Sequence, residues 1–134
     1  MYAYGTTSRE RLATCHPTLV RLFNEIIKHR DVTILCGHRG QTDQNIAYAN
    51  GASTKQWPNS KHNSMPSIAV DAAPWPLTAE HWNDREHWVA WGNYVVGFAA
   101  GMGIRVRSGI DWNMNHSGSD ERFFDGPHFE LVNP

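Results

Sequence analysis

Apolar residues recur at three- and four-residue steps through "PTLVRLFNEIIKHR", residues 17 to 30. Leu19, Leu22, Phe23, Ile26 and Ile27 fall on one face, so the spacing predicts a helix with that face turned to a core. Pro17 suits its first turn, with His16 as the cap. Ser8 is expected to cap a shorter helix, "SRERLATC". The β-branched run "DVTILC", residues 31 to 36, predicts a strand ended by Gly37. "QTDQNIAYAN" reads as a helix stopped by Gly51. Residues 52 to 67 carry Ser, Asn and two prolines without any period, which predicts a long loop. "SIAVDAA" is a second strand, closed by Pro74 and Pro76. Thr78 is expected to cap one long helix, "AEHWNDREHWVAWGNYVVGFAAGM", with Trp88, Trp91, Val95, Phe98 and Met102 as its core stripe and Gly101 and Gly103 at its end. "GIRVRSGI" and "GPHFELV" predict a third and a fourth strand around a polar loop, "DWNMNHSGSDERFFD". Helices beside a small antiparallel sheet make an α+β domain.

Asp71 breaks this pattern. It sits inside the apolar run "IAVDAA", where a carboxylate is costly unless something compensates its charge. Composition narrows what that could be. With 134 residues, a single domain over residues 1–134 with one real core is expected, and 40% hydrophobic with 19% charged residues is ordinary globular usage. The formal charge of −1 supplies no basic field for nucleic acid or anionic lipid, and Arg105 and Arg107 read as ordinary surface positions on a strand. Eight histidines favour a metal or acid–base site. Cys15 and Cys36 form no CxxC pair and read as reduced, buried thiols. The amino terminus lacks a basic start followed by an apolar stretch, so no secretory signal is expected. The run "YVVGFAAGMGI" is too short and glycine-rich to span a bilayer, so no membrane insertion is expected.

Three segments place polar groups at strand ends: "GHRGQTDQ", "SKHNSMPSIAVD" and "DGPHFE". Catalytic zinc commonly takes three His or carboxylate ligands and leaves a fourth position for water. His62, Asp71 and His128 supply such a set, and a dication would compensate Asp71. A carboxylate near His128 would serve as base, and Asp125 and Glu130 both qualify; spacing does not choose between them. The plainer alternatives are that Asp71 accepts backbone amides and that Arg39 makes a surface ion pair; His38, His81, His87 and His116 read as surface residues or as supports behind a site. No HExxH helix is present. The acidic stretch "SGSDERFFD" offers few ligands for calcium.

Together these segments resemble the VanY-like zinc D,D-peptidases, and within them the short phage endolysins that cut peptidoglycan stem peptides. Ser60, His62, Ala69 and Asp71 match the family's SxHxxGxAxD element, here with two extra residues and no glycine between His62 and Ala69. Asp125 and His128 match its DxxH element, and Gly37, Arg39 and Gln44 its arginine turn. The match runs in order over residues 37 to 130.

The resemblance implies a hedgehog-like fold and one catalytic zinc ion held by His62, Asp71 and His128. It makes Asp125 the general base in preference to Glu130, which then orients a ligand. Arg39 would hold the substrate carbonyl or the developing oxyanion. Ser60, Gln44 and Trp112 would contact substrate or support the site. The implied function is a zinc-dependent peptidoglycan endopeptidase cutting the L-alanyl–D-glutamate bond during host lysis. Such an enzyme is expected to be a monomer without a separate wall-binding domain, held in the host cytoplasm until released to the wall. Two rival readings remain at this point: a D,D-carboxypeptidase or dipeptidase trimming D-alanine, and a catalytically inactive binding module.

Overall fold

The structure, a computed structural model, describes residues 2–115 and 124–134. His116 and all of the acidic stretch except Phe124 and Asp125 lie outside the described residues. Helices α1 (Thr6–Leu12) and α2 (Pro17–Ile26) precede strand β1 (Val32–Cys36) and helix α3 (Gln41–Ala49). A 3₁₀ turn at Lys61–Asn63 leads to β2 (Ala69–Pro74), then to α4 (Ala79–Trp82), α5 (Arg85–Gly101), β3 (Val106–Ser108) and β4 (His128–Leu131). The four strands form one sheet in the order β1-β2-β4-β3, every pair antiparallel. The expected α+β architecture is therefore present.

Register explains how one small sheet carries both a core and a polar face. Val70 pairs with Phe129, and Val106 with Leu131. These side chains face the helices, where the Phe129 ring lies 6.0 Å from Phe23 of α2 and 6.1 Å from Trp91 of α5. Since alternate residues face opposite ways, the intervening positions must share the other face. There Asp71 pairs with His128 and with Cys36, and Glu130 pairs with Ala69 and Arg107. A register shift between Ile34 and Cys36 marks a bulge at the end of β1, where such an irregularity re-aims the chain beside the polar cluster.

Two local expectations change. Ser8 does not cap α1, whose N-cap is Gly5; its buried hydroxyl instead accepts the Ile34 amide at 3.0 Å, tying α1 to β1. The long helix is two. Thr78 caps α4 as expected, but Asp84 interrupts the run, its carboxylate accepting the amides of Glu86 and His87 to start α5. A short acidic side chain competes well for free amides and so favours a cap over a helix interior. Along α5, Trp88, Trp91 and Val95 are buried as expected, and Phe98 and Met102 pack partly buried at its edge. No helix among the described residues is long and apolar enough to cross a membrane.

Candidate metal and catalytic site

β2 and β4 put Asp71 and His128 side by side, and the 3₁₀ turn delivers His62 to the same place. Ser60 caps that turn: its hydroxyl accepts the His62 amide at 3.2 Å, and the Asn63 side chain accepts the Ser60 amide at 3.0 Å. The Arg39 amide donates to the His62 carbonyl at 2.8 Å, fastening the turn to the loop after β1. The following segment is pinned by the Ser67 amide donating to the Thr14 carbonyl at 2.9 Å, while Met65 bulges into solvent.

Three ligand-type atoms converge. His62 Nε2 lies 3.2 Å from Asp71 Oδ1 and 3.3 Å from His128 Nδ1, and His128 Nδ1 lies 3.3 Å from Asp71 Oδ1. The outward nitrogen of each ring is committed elsewhere. His62 Nδ1 lies 2.8 Å from the Gly37 carbonyl, which can only accept, so this nitrogen carries hydrogen. His128 Nε2 lies 2.9 Å from Glu130 Oε1 and donates to that carboxylate. With neutral rings, two nitrogen lone pairs and a carboxylate oxygen would face one another across the triangle, an arrangement that demands a cation.

The spacing fits a tetrahedral ion such as zinc. Four ligands at about 2.0–2.1 Å in a tetrahedron stand about 3.3–3.4 Å apart, close to the spacing of these three atoms. The orientation of each histidine by a carbonyl or carboxylate is also how metal-ligating imidazoles are commonly fixed. Cys36 Sγ groups with His62 and Asp71, and Asp125 with Asp71 and His128, each set having its ligand atoms within 4.8 Å of one another.

Without a metal, protons supply the positive charge. Burial pushes both imidazoles down, but the Asp71 charge and hydrogen bond raise His62 to about 10, and hydrogen bonds to Asp71 and Glu130 raise His128 to about 9. Burial pushes Asp71 up, yet the two imidazoles hold it well below the usual carboxylate range.

The two carboxylates left open by spacing differ in place and charge. Glu130 is buried and doubly engaged, with His128 on one oxygen and Arg107 on the other at 2.7 Å. Burial would raise its pKa, but those two partners hold it at about 2. Asp125 lies at the other nitrogen, Oδ2 3.9 Å from His128 Nδ1, with 28% of its side chain exposed to the cleft. Burial first, then the Asp71 charge, raise its pKa to about 6, within range for proton transfer near neutrality.

Arg39 approaches Asp71 from the opposite side, Nη2 to Oδ2 at 3.6 Å. Its other Nη donates to Gln44 Oε1 at 3.0 Å. Gln44 is fully buried and its amide also donates to Ser53 Oγ and the Lys55 carbonyl, so it fixes Arg39. Trp112 lies with its ring 5.2 Å from that of His128. A cleft of about 930 Å³ opens over the triangle, walled by Arg39, Arg107, Trp112, Asp125 and the segment from Gly51 to Lys55.

Every residue expected at the site comes to it, although Ser60 and Gln44 act by holding neighbours. Three more residues went unrecognised in the sequence. Asn63 donates to Gln44 Oε1 and to the Arg39 carbonyl, at 3.0 and 3.1 Å. Cys36 is a free thiol as expected, but half-buried at the cleft instead of in the core. Arg107 pairs with Glu130 and is no ordinary surface position. The alternation of "RVRS" against "HFEL" holds the one available signal for it, since Arg107 and Glu130 then share a face.

Comparison with known proteins identifies the family. The family described as phage L-alanyl-D-glutamate peptidase matches residues 1–132. The L-alanyl-D-glutamate peptidase of Escherichia phage T5 is 34% identical over 138 residues, covering 98% of each chain. The fold is similar to that of the Serratia marcescens L-Ala D-Glu endopeptidase ChiX, with a TM-score of 0.69 at 24% identity, over 98% of this chain and 91% of that one. The chain belongs to the phage L-alanyl-D-glutamate peptidase family.

Proposed function

We propose that the protein is a zinc-dependent endopeptidase that hydrolyses the L-alanyl–D-glutamate bond of peptidoglycan stem peptides during phage lysis of a bacterial host. The observation that carries the zinc assignment is the triangle of His62 Nε2, Asp71 Oδ1 and His128 Nδ1, at tetrahedral spacing and with both outer nitrogens committed. Family membership supports the bond and the substrate.

His62, Asp71 and His128 would hold the ion. When bound, zinc supplies Lewis acidity that brings the pKa of water to about 7 and polarises a carbonyl. Asp125, at the cleft side of His128, accepts the proton of the attacking water and delivers it to the leaving amine. Arg39, held by Gln44, donates to the carbonyl oxygen as negative charge develops there. Glu130 keeps the His128 ring oriented, Ser60 holds the turn that carries His62, and Trp112 offers an aromatic wall to the substrate. The enzyme acts as a single-domain monomer, retained in the host cytoplasm until released to the wall.

The direct test is digestion of purified peptidoglycan with the zinc-loaded protein, followed by mass spectrometry of the new termini. New L-alanine carboxyl and D-glutamate amino ends are expected. Free D-alanine would replace this reading with a carboxypeptidase, and no product at all would leave a binding module.

A further inference from the structure

Arg107 is a cation of the cleft wall whose part in hydrolysis, bracing Glu130, uses only one of its donors. It stands directly opposite Glu130 on β3 and donates to Glu130 Oε2 through Nη2 at 2.7 Å. A guanidinium carries five N–H donors in a planar fork that matches a carboxylate two at a time. Nε is buried and, among the described residues, finds no hydrogen-bond partner, while 37% of the side chain remains exposed on the cleft wall and leaves the guanidinium end to meet a ligand. The guanidinium carbon sits 5.8 Å from the Trp112 ring centroid, which limits where the fork can swing.

Charge and direction both matter here. Asp71, Asp125 and Glu130 bring three negative charges, while Arg39, Arg107 and a dication in the ligand triangle outweigh them, so the loaded cleft favours an anion. The two arginines flank the triangle from opposite ends: Arg39 lies beyond Asp71, and Arg107 beyond His128 through Glu130. Asp125, which returns the proton to the leaving amine, lies on the β3 side of the sheet: its amide donates to the Gly109 carbonyl at 2.9 Å, two residues beyond Arg107. The residue that leaves as an amine therefore lies toward Arg107. In an L-alanyl–D-glutamyl bond that residue is D-glutamate, whose α-carboxylate is attached to the carbon bearing the scissile nitrogen. Where the glutamate is linked onward through its γ-carboxyl, this α-carboxylate is free and anionic.

Building on the function proposed above, we propose that Arg107 binds the α-carboxylate of the D-glutamate and makes the enzyme select stem peptides with a free α-carboxylate over those carrying an α-amide. It is a specificity-determining residue that also braces Glu130.

The test compares kcat/KM on three synthetic stem peptides: one with the free α-carboxylate, one α-amidated at D-glutamate, and one amidated instead at the following residue. Zinc-loaded wild-type protein is expected to prefer the free α-carboxylate over its amide by at least about tenfold, mainly through KM, as loss of a charge-assisted pair implies. Amidation of the following residue should have little effect. Arg107→Gln should bring the preference to within about twofold while still cutting the α-amide, and Arg107→Lys should retain part of it. Any weakening of zinc through Glu130 affects all three peptides alike and cancels in the ratio. Equal cleavage of both glutamate forms by wild type, a preference that survives Arg107→Gln, or sensitivity only to the third peptide overturns the proposal. If zinc-loaded wild type cuts none of the three, the hydrolase reading itself fails.

Discussion

A carboxylate oxygen with two imidazole nitrogens at 3.2 and 3.3 Å, the outer nitrogen of each ring already carrying its hydrogen, calls for positive charge, which this protein can obtain from protons or from a dication. The residues around Asp71 divide by which source they serve. His128→Ala removes one of three ligands, so both bound zinc and hydrolysis should be lost. Asp125→Asn leaves the triangle intact; elemental analysis should find zinc retained while kcat falls by about 100-fold or more. Glu130→Gln should weaken zinc binding by about 10- to 100-fold, since the His128 ring loses its charged acceptor. Retention of full activity by Asp125→Asn would remove it as the base. The convergence of His62, Asp71 and His128 was legible in the sequence because an aspartate in an apolar run poses an electrostatic problem that few partners solve, and the family resemblance named the same three residues. Arg107, Cys36 and Asn63 were not, because what they touch is fixed by strand register and loop docking across large separations in the chain.

At the level of elements, the site depends on close approaches that only small residues allow. Gly37 ends β1 against α1: a Cβ there would collide with the Arg11 carbonyl and the Thr14 hydroxyl, and the Gly37 carbonyl orients His62. Gly37→Ala should therefore cost about 1–3 kcal/mol of stability in chemical denaturation and also reduce zinc affinity. Gly126 similarly lies on the Trp88 ring, pressing the Asp125–His128 segment onto α5. Replacing the α5 cap, Asp84→Ala, should cost about 1 kcal/mol and leave zinc affinity unchanged, because it touches only the helix start. The amphipathic α2 follows from apolar period, and the strands from β-branched and apolar runs bounded by glycine and proline. The break between α4 and α5 does not, because the apolar stripe begins only at Trp88 and says nothing about the turn before it, where the Asp84 carboxylate takes the Glu86 and His87 amides and starts a new helix.

For the whole molecule, charge in the ligand triangle links stability to pH. In the metal-free protein His62 and His128 are raised from 6.5 to about 10 and about 9. Raised pKa values mean that their contribution is complete below about pH 6.5 and is lost as pH rises through 9 and 10. Glu130, lowered from 4.5 to about 2, acts in the other direction: its contribution is present above 4.5 and lost as pH falls toward 2. Zinc must displace the histidine protons, so the rise in Tm on adding zinc should be larger at pH 9 than at pH 6.5. An unchanged increment would mean that the ion binds away from these histidines. The central claim is that one zinc ion in this triangle is required to cut the stem peptide. Its most direct measurement is titration of chelator-stripped protein with zinc while following release of D-glutamate amino termini from peptidoglycan. Activity should rise from zero and saturate at one equivalent; full activity in the metal-free protein would contradict the account.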